Sequence, residues 1–269
     1  MNSIKKMMLS GALGCLISGM AYADGSSPQP VKPYWQDIQV VAVNKEKPRS
    51  SFMSYADRET ALTSRFEKSP YYFLLNGTWK FFFVDSYKDL PQNITDPSVN
   101  TSSWDDITVP GNWEVQGHGV AIYTNHGYEF KPRNPQPPLL PEANPVGVYR
   151  RDIEIPASWD NRDIYLHIGG AKSGLYVYLN GKEVGYSEDS KNPAEFLINK
   201  YLQPGKNVLT LKIFRWSTGS YLECQDFWRM SGIERDVFLW SQPKASIQDF
   251  RVVSTLDDTY TNGIFKLAV

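Results

Sequence analysis

Short segments in which apolar and polar residues alternate dominate the middle of the chain and constrain its fold most strongly. In Gly147–Ile155, for example, Tyr149 and Ile153 share one face of an extended strand, whereas Arg150 and Asp152 share the other. The segments predicted to be strands are Thr78–Val84, Trp104–Val109, Gly147–Ile155, Asp163–Ile168, Leu175–Leu179, Lys182–Tyr186, Asn207–Phe214 and Asp236–Trp240. Short strands separated by turns, with little helix between them, predict an antiparallel β-sandwich.

Local signals support this assignment. Asn180-Gly181 lies between two predicted strands, and this dipeptide is the strongest short signal for a β-hairpin. Arg58–Lys68 predicts a short helical turn, for which Asp57 is a suitable N-cap.

The two ends of the chain differ from the middle. Residues 24–49 are rich in Pro and Ser without periodicity, which indicates an extended lead-in to a sandwich domain at 50–243. After Pro243 the strand pattern restarts with Ile247–Ser254 and Gly263–Val269. Because a lone hairpin has no core of its own, we interpret residues 244–269 as the truncated start of a second domain.

The first residues resemble a secretory signal peptide, assigned to residues 1–23. Lys5 and Lys6 precede the apolar stretch Met7–Ile17, and Ala21-Tyr22-Ala23 forms a small-x-small cleavage site. The apolar stretch is too short to span a bilayer. Export to the periplasm or the medium is therefore expected, and a lipoprotein signal through Cys15 is the weaker alternative. The mature chain would keep only Cys224, so no intramolecular disulfide is expected.

Charge and motifs exclude several functions. The chain has 28 basic and 29 acidic residues and a formal net charge of -1, so it lacks the basic footprint of a nucleic-acid-binding protein. His118 and His126 lie in one connection without a third metal ligand nearby, which favours packing or surface roles over zinc binding. The sequence contains no GxSxG, phosphate-binding or HExxH motif.

Two long irregular connections remain: residues 111–147 and the stretch Arg215–Val237. Connections of this length are usually functional or disordered, and their many aromatic residues argue against disorder. In the second connection, the Asp226 carboxylate could bind sugar hydroxyls or a hard cation, or pair with Arg229 or Arg235. In the first, the Asn125 amide could bind a hydroxyl or stabilise a turn.

Several stretches together resemble the N-terminal portion of glycoside hydrolase family 2 β-galactosidases. The resemblance extends from about Trp35 to the end of the chain, and the motifs occur in the order found in the family. The stretches that carry it are Asn76–Phe81 (NGTWKF), Val109–Phe130 (VPGNWEVQGHGVAIYTNHGYEF), Asn144–Arg151 (NPVGVYRR), Tyr176–Phe196 (YVYLNGKEVGYSEDSKNPAEF) and Arg215–Val237 (RWSTGSYLECQDFWRMSGIERDV).

The resemblance implies a jelly-roll-like, galactose-binding-domain-like sandwich, followed by an immunoglobulin-like domain and a TIM barrel. Enzymes of this family hydrolyse terminal β-galactosides with retention, and the barrel carries the two catalytic Glu. The matching barrel would begin beyond Val269, so the resemblance implies that this fragment contains no catalytic residue and is inactive alone.

The resemblance also implies which residues reach the sugar. Asn125 matches the Asn of the family motif YTN and would line the galactose pocket. Asp226 matches the second Asp of the motif EDQD and would bind galactose hydroxyls and serve as one ligand of a sodium ion. The barrel would supply the rest of that site and a magnesium ion. The expected partners are a β-galactoside and, in the full-length enzyme, further copies of the chain, but neither nucleic acid nor a membrane.

The sequence departs from the family pattern at a few positions. Thr218 and Cys224 stand where acids are usual, and Ala121 and Glu129 stand where Pro is usual. These departures concern the rigidity of the connections and the preferred aglycone. The alternatives are a non-catalytic carbohydrate-binding module and the same domain of a sister β-glucuronidase or β-mannosidase.

Overall fold

A computed structural model describes residues 32–130, 134–223 and 225–269. The predicted signal peptide and Cys224 lie outside the described residues. The strands are β1 (Ala42–Val43), β2 (Tyr72–Leu74), β3 (Gly77–Val84), β4 (Asp105–Val109), β5 (Gly111–Asn112), β6 (Ile122–Thr124), β7 (Val146–Glu154), β8 (Arg162–Ile168), β9 (Ala171–Lys172), β10 (Gly174–Leu179), β11 (Lys182–Ser187), β12 (Ala194–Leu197), β13 (Lys206–Phe214), β14 (Phe227–Arg229), β15 (Gly232–Ile233), β16 (Val237–Pro243), β17 (Arg251–Leu256) and β18 (Gly263–Ala268).

Two antiparallel sheets form the sandwich. The larger sheet has seven strands in the order β1-β11-β10-β13-β7-β3-β4, and the smaller has four in the order β12-β8-β16-β2. Each strand that the sequence predicts before residue 245 is present, with bounds that differ by a few residues at most. The antiparallel β-sandwich is therefore confirmed.

The core lies between the two sheets because the alternating apolar faces meet there. From the larger sheet it contains Trp79, Phe81, Tyr149, Val177 and Leu211, and from the smaller sheet Leu166, Phe196 and Leu239, each at most 1% exposed. The indole of Trp79 donates to the Leu75 carbonyl at 2.8 Å, so this large side chain is buried without leaving its N–H unpaired.

The outer face of the larger sheet is also covered, which the alternation of β7 does not reveal. Arg150 is only 5% exposed, although it lies on the charged face of that strand. Its guanidinium donates to the carbonyls of Ile94 (2.7 Å) and Val99 (3.2 Å) and lies over the Trp104 ring. A polar residue on a strand face can thus be buried when a later or earlier segment supplies its partners.

The short helix and the terminal hairpin are close to their predicted places. Helix α1 (Arg58–Leu62) begins at the predicted cap Asp57, whose carboxylate accepts from the Thr60 N–H at 2.8 Å. Strand β17 begins at Arg251, four residues later than Ile247. Strands β17 and β18 pair with each other and are almost entirely exposed. The domain boundary near residue 244 stays a prediction. In the described part of the chain, no helix is long and apolar enough to cross a membrane.

Candidate functional site

The two irregular connections meet in a two-stranded ribbon that the sequence does not predict. Strand β14, from the second connection, pairs antiparallel with β6, from the first, and Trp228 lies opposite Tyr123. Strand β15 joins β5 and β9 in a separate three-stranded sheet, which fixes the far end of the second connection. The first connection therefore contributes two short strands, β5 and β6, each at the edge of its sheet.

The ribbon has two faces with different chemistry. Neighbours across an antiparallel pair share a face, and so do residues two apart along one strand. One face, which we call the exposed ribbon face, consists of Tyr123, Asn125, Asp226 and Trp228, all of them exposed. Asn125 and Asp226 lie one residue beyond the last paired residues, on opposite strands. The fold therefore brings together the two residues that the resemblance marks as sugar-binding.

The Asp226 carboxylate belongs to the exposed ribbon face, and no ion pair links it to another residue of the described ranges. Its Oδ1 accepts a hydrogen bond of 2.9 Å from the Tyr123 hydroxyl. That contact raises the pKa of Tyr123, because ionising the phenol would place two negative charges side by side. The guanidinium of Arg229 donates to the Glu223 carbonyl, and that of Arg235 donates to the Gly169 carbonyl. The two suggested ion-pair partners are thus engaged elsewhere.

The Asn125 side chain does not close the turn that follows β6. The Thr124 hydroxyl does so, by donating to the His126 carbonyl at 2.6 Å. Asn125 Oδ1 lies 2.6 Å from His126 Nδ1, so an Nδ1-protonated imidazole donates to it. Among the described residues, the Asn125 side chain makes no hydrogen bond to the backbone of the turn.

The opposite face, which we call the buried ribbon face, consists of Ile122, Thr124, Phe227 and Arg229. A charged network lies beneath it. The Glu129 carboxylate pairs with Lys172 Nζ at 3.2 Å and accepts from the Trp216 indole N–H. Arg229 Nε lies 3.9 Å from the same carboxylate, and its guanidinium covers the Phe227 ring at 4.7 Å. The departure from Pro at position 129 thus supplies a carboxylate that holds the ribbon in place.

Glu223 and Glu188 hold the base of the second connection. Glu223 accepts from the Ser190 hydroxyl at 2.6 Å and from its backbone N–H at 3.0 Å, as a bracing role requires. Glu188 accepts from the Thr218 hydroxyl at 2.6 Å and from the Gly219 N–H at 2.8 Å. Burial raises the pKa of both carboxyl groups, and the hydrogen bonds oppose that rise. Thr218, which stands where an acid is usual, is therefore a donor to a neighbouring acid.

The side chains around Asp226 show whether this chain alone could form the predicted cation site. Asp226 is a single carboxylate on an exposed surface, and within the described ranges no group of three or more His, Cys, Asp or Glu side chains could hold a metal ion. Asp226 fits the role of one oxygen ligand, whereas a complete site would need oxygen atoms from other parts of the polypeptide. The two suggested histidines do not converge either, since His118 packs on Phe81 with ring centroids 4.8 Å apart.

A cavity of about 410 Å³ lies elsewhere, on the outer face of the smaller sheet. Three of the ionisable side chains that line it are bonded together, since Arg49 and His167 bind the Glu195 carboxylate at 3.0 and 2.8 Å. This cavity contains neither Asn125 nor Asp226. The exposed ribbon face is the better candidate because its polar groups point outward.

Tyr123 and Trp228 are site residues that the sequence reasoning did not identify. Trp228 is 55% exposed and contacts Tyr123 with ring centroids 5.6 Å apart. The signal that could have found both is their spacing, since each lies two residues from Asn125 or Asp226 on an extended strand.

Fold and site together define a β-sandwich domain whose connections present an exposed carboxylate, an amide and two aromatic rings on one face. The profile described as "Glycosyl hydrolases family 2, sugar binding domain" matches residues 73–243. The chain belongs to glycoside hydrolase family 2, and the matched region is its sugar-binding domain.

Curated relatives agree with this assignment. The chain is 41% identical over 234 residues to a β-galactosidase of Priestia megaterium, with 86% of this chain and 23% of the relative covered. It is 38% identical over 229 residues to a β-galactosidase of Psychromonas ingrahamii, with 85% and 22% covered. The chain thus spans less than a quarter of the length of these relatives.

Solved structures support the fold. A β-glucuronidase of an uncultured Clostridium sp. matches 73% of this chain and 33% of its own, with a TM-score of 0.53 and 22% identity. At that identity the similarity concerns the fold alone.

Proposed function

We propose that this chain is the N-terminal sugar-binding domain of a retaining β-galactosidase that hydrolyses terminal, non-reducing β-D-galactosides. The relatives with that name, at 36–41% identity over most of the chain, support the substrate class. In this proposal the chain forms one wall of the galactose pocket, and other parts of the polypeptide supply the catalytic barrel with its two Glu. The chain alone is inactive.

The observation that carries the proposal is the position of Asn125 and Asp226. They lie side by side at the end of one ribbon, on its exposed face, although 100 residues of sequence separate the two strands. An ionised carboxylate accepts hydrogen bonds from two neighbouring hydroxyls, and an amide both donates and accepts. This pair can therefore recognise a sugar edge, with charge-assisted bonds to Asp226 as the stronger ones.

A sodium ion fits the proposal as a second partner of Asp226. When bound, it would offer a hard positive charge to the hydroxyl oxygens of the substrate. In this chain, Tyr123 orients the exposed Asp226 carboxylate by its hydrogen bond to Oδ1. The magnesium ion of the resemblance would be bound by the barrel.

Replacing Asp226 in the full-length enzyme tests the proposal. Full-length wild type should cleave a chromogenic β-galactoside in preference to a β-glucuronide or β-mannoside. Asp226→Asn should lower kcat/KM for the galactoside about 10- to 100-fold, because a charge-assisted hydrogen bond becomes a neutral one. Asp258→Asn, which changes an exposed carboxylate in the terminal hairpin, is the matched control and should leave kcat/KM unchanged.

Two results would redirect the proposal. Cleavage of the glucuronide or mannoside, but not of the galactoside, would assign the chain to a sister enzyme. Unchanged kinetics in Asp226→Asn would reduce the domain to a scaffold for the barrel.

The alternative of an independent carbohydrate-binding module is tested on the chain itself. Titration calorimetry with galactose and lactose should detect no binding with a dissociation constant below the millimolar range, because Asn125 and Asp226 supply only one wall of the pocket. Micromolar binding would favour the module.

Export and assembly are further parts of the proposal. Cleavage of a signal peptide after Ala23 predicts that N-terminal sequencing of the mature, exported protein begins at Asp24. The full-length protein is expected to form a homo-oligomer, which its mass in solution would measure.

A further inference from the structure

We propose that Trp228, with Tyr123 beside it, is the platform on which the ring next to the bound galactosyl unit stacks. This inference rests on the proposed function, because it takes Asp226 and Asn125 as the residues that hold the galactosyl unit. The proposed function gives the exposed ribbon face a hydrogen-bonding role toward the galactosyl unit. The platform would also make this face a determinant of aglycone preference.

The first argument is exposure. Trp228 and Tyr123 are each 55% exposed, whereas Trp35, Trp79, Trp113, Trp159 and Trp240 are at most 2% exposed. Large aromatic side chains normally fill cores, so two of them facing outward from one ribbon require an explanation. The ribbon does not need them for packing, since Phe227 and Arg229 anchor its buried face.

The second argument is register. Trp228 and Tyr123 are cross-strand partners, and each lies two residues from Asp226 or Asn125 on the same face. Two residues of extended strand span about 6.6 Å, which is wider than one pyranose ring. A sugar whose hydroxyls reach Asp226 and Asn125 would therefore direct its glycosidic neighbour toward the two aromatic rings.

The third argument is complementarity. A pyranose or aryl ring has an apolar face that packs against an aromatic ring, while its hydroxyls point to the side. The Trp228 and Tyr123 rings lie 5.6 Å apart and are inclined by 55°, so they form a shallow corner and not a flat stack. The Tyr123 hydroxyl bonds to Asp226 and connects the platform to the galactosyl position.

Three ligands that differ only in the aglycone test the platform in the full-length enzyme. Lactose and phenyl β-galactoside carry a ring at the aglycone position, whereas methyl β-galactoside does not. Trp228→Ala should raise the inhibition constant, or the dissociation constant by calorimetry, about tenfold for the ring-bearing ligands. For methyl β-galactoside the same constant should change less than twofold. Trp228→Phe keeps a ring and should recover most of the loss.

Leu222→Ala is the matched control. Leu222 is 84% exposed in the same connection but lies outside the ribbon, so its replacement should change neither constant. The thermal unfolding temperature is measured for each variant. If Trp228→Ala lowers that temperature by several degrees and leaves the constants unchanged, Trp228 packs against another part of the polypeptide and the platform is refuted.

The remaining outcomes are also decisive. An equal loss for methyl and phenyl galactosides would place Trp228 at the galactosyl ring and overturn its assignment to the aglycone. If Trp228→Ala binds all ligands normally while Asp226→Asn has a lowered kcat/KM, the platform is overturned and the proposed function is left intact. If the wild type binds glucuronides and not galactosides, the proposed function fails, and methyl and phenyl glucuronide then test the platform.

Discussion

The two faces of the β6–β14 ribbon are built from adjacent residues of the same strands, yet they have opposite roles. Beneath the buried face, the Lys172 and Glu129 side chains are 3% and 6% exposed and bond to each other. On the exposed face, Asp226 has a single tyrosine as its hydrogen-bond donor among the described residues. Charge that is paired inside the protein holds the ribbon, whereas charge that is left accessible is available to a ligand.

This contrast explains why a carboxylate alone is a poor indicator of a site. Glu129, Glu188 and Glu223 lie, as Asp226 does, in stretches that carry the family resemblance, but each is bonded to residues of the chain itself. Burial of a charge requires such partners, because an unpaired charge in the interior costs several kcal/mol. The same requirement leaves Asp226 as the accessible acid of the ribbon.

The largest expected loss of stability comes from breaking the Lys172–Glu129 ion pair beneath the buried ribbon face. Lys172→Met leaves the buried Glu129 carboxylate without its nearest cation, and the remaining one, Arg229 Nε, lies 3.9 Å away. Removal of one partner of a buried pair costs about 3–5 kcal/mol, so the free energy of unfolding of the chain should fall by that order. Chemical denaturation followed by tryptophan fluorescence measures it.

A double variant separates the charge from the packing. Lys172→Met combined with Glu129→Leu removes both charges, and replacing a buried pair by apolar residues is often neutral. The double variant should therefore regain most of the lost stability. If it is less stable than Lys172→Met, the hydrogen bond from Trp216 to Glu129 is the more important contact.

The contribution of Glu223 to stability, at the base of the second connection, should depend on pH. Burial raises the pKa of Glu223 above 4.5. The stability that this shift contributes is fully present below about pH 4.5 and is lost as the pH rises through the raised value. The free energy of unfolding of wild type minus that of Glu223→Gln should therefore decrease as pH rises from 4.5 toward neutrality.

Ser190→Ala sharpens that test. The Ser190 hydroxyl donates to Glu223 and opposes the rise of its pKa, so its removal should extend the decrease to higher pH. A difference that does not vary with pH would contradict the buried, perturbed state of Glu223.

The sandwich could be predicted from the sequence because its signals are local. Alternation gives β7, β8, β10 and β13, and Asn180-Gly181 gives a hairpin, since the strand period and the turn geometry depend only on neighbouring residues. The ribbon could not be predicted in this way. Its strands are three residues long, come from connections about 100 residues apart and have no periodicity of their own.

The candidate site was predicted only in part for the same reason. Asn125 and Asp226 were selected by resemblance, and their roles stay predictions. The residues around them depend on long-range pairing: Trp228 is beside Tyr123 only because of the register of the ribbon. The burial of Arg150 also depends on long-range contacts, since its guanidinium donates to the carbonyl groups of residues 94 and 99.

A smaller effect is expected from the exposed face. Asp226→Asn removes no buried charge, so the free energy of unfolding should change by no more than about 0.5 kcal/mol, a typical value for surface substitutions. The contrast with Lys172→Met is the direct test of the two-face description, and both variants are measured in the same denaturation experiment. A loss above about 2 kcal/mol in Asp226→Asn would show that the carboxylate supports the fold, as buried charges do.

The smallest effect is a change in the titration of Tyr123. Its hydroxyl donates to the Asp226 carboxylate, and this bond and the negative charge of Asp226 together raise the pKa of the phenol above 10.0. Asp226→Asn keeps an oxygen acceptor but removes the charge, so the pKa of Tyr123 should move back toward 10.0. Nuclear magnetic resonance of ¹³Cζ-labelled tyrosine measures it, with Tyr123→Phe used to assign the signal. Because Tyr260 is also exposed and lies far from the ribbon in sequence, its signal is the internal control. A Tyr123 signal that titrates identically in wild type and Asp226→Asn would mean that the two side chains do not touch in solution, and the exposed face would then lack the contact that orients its carboxylate.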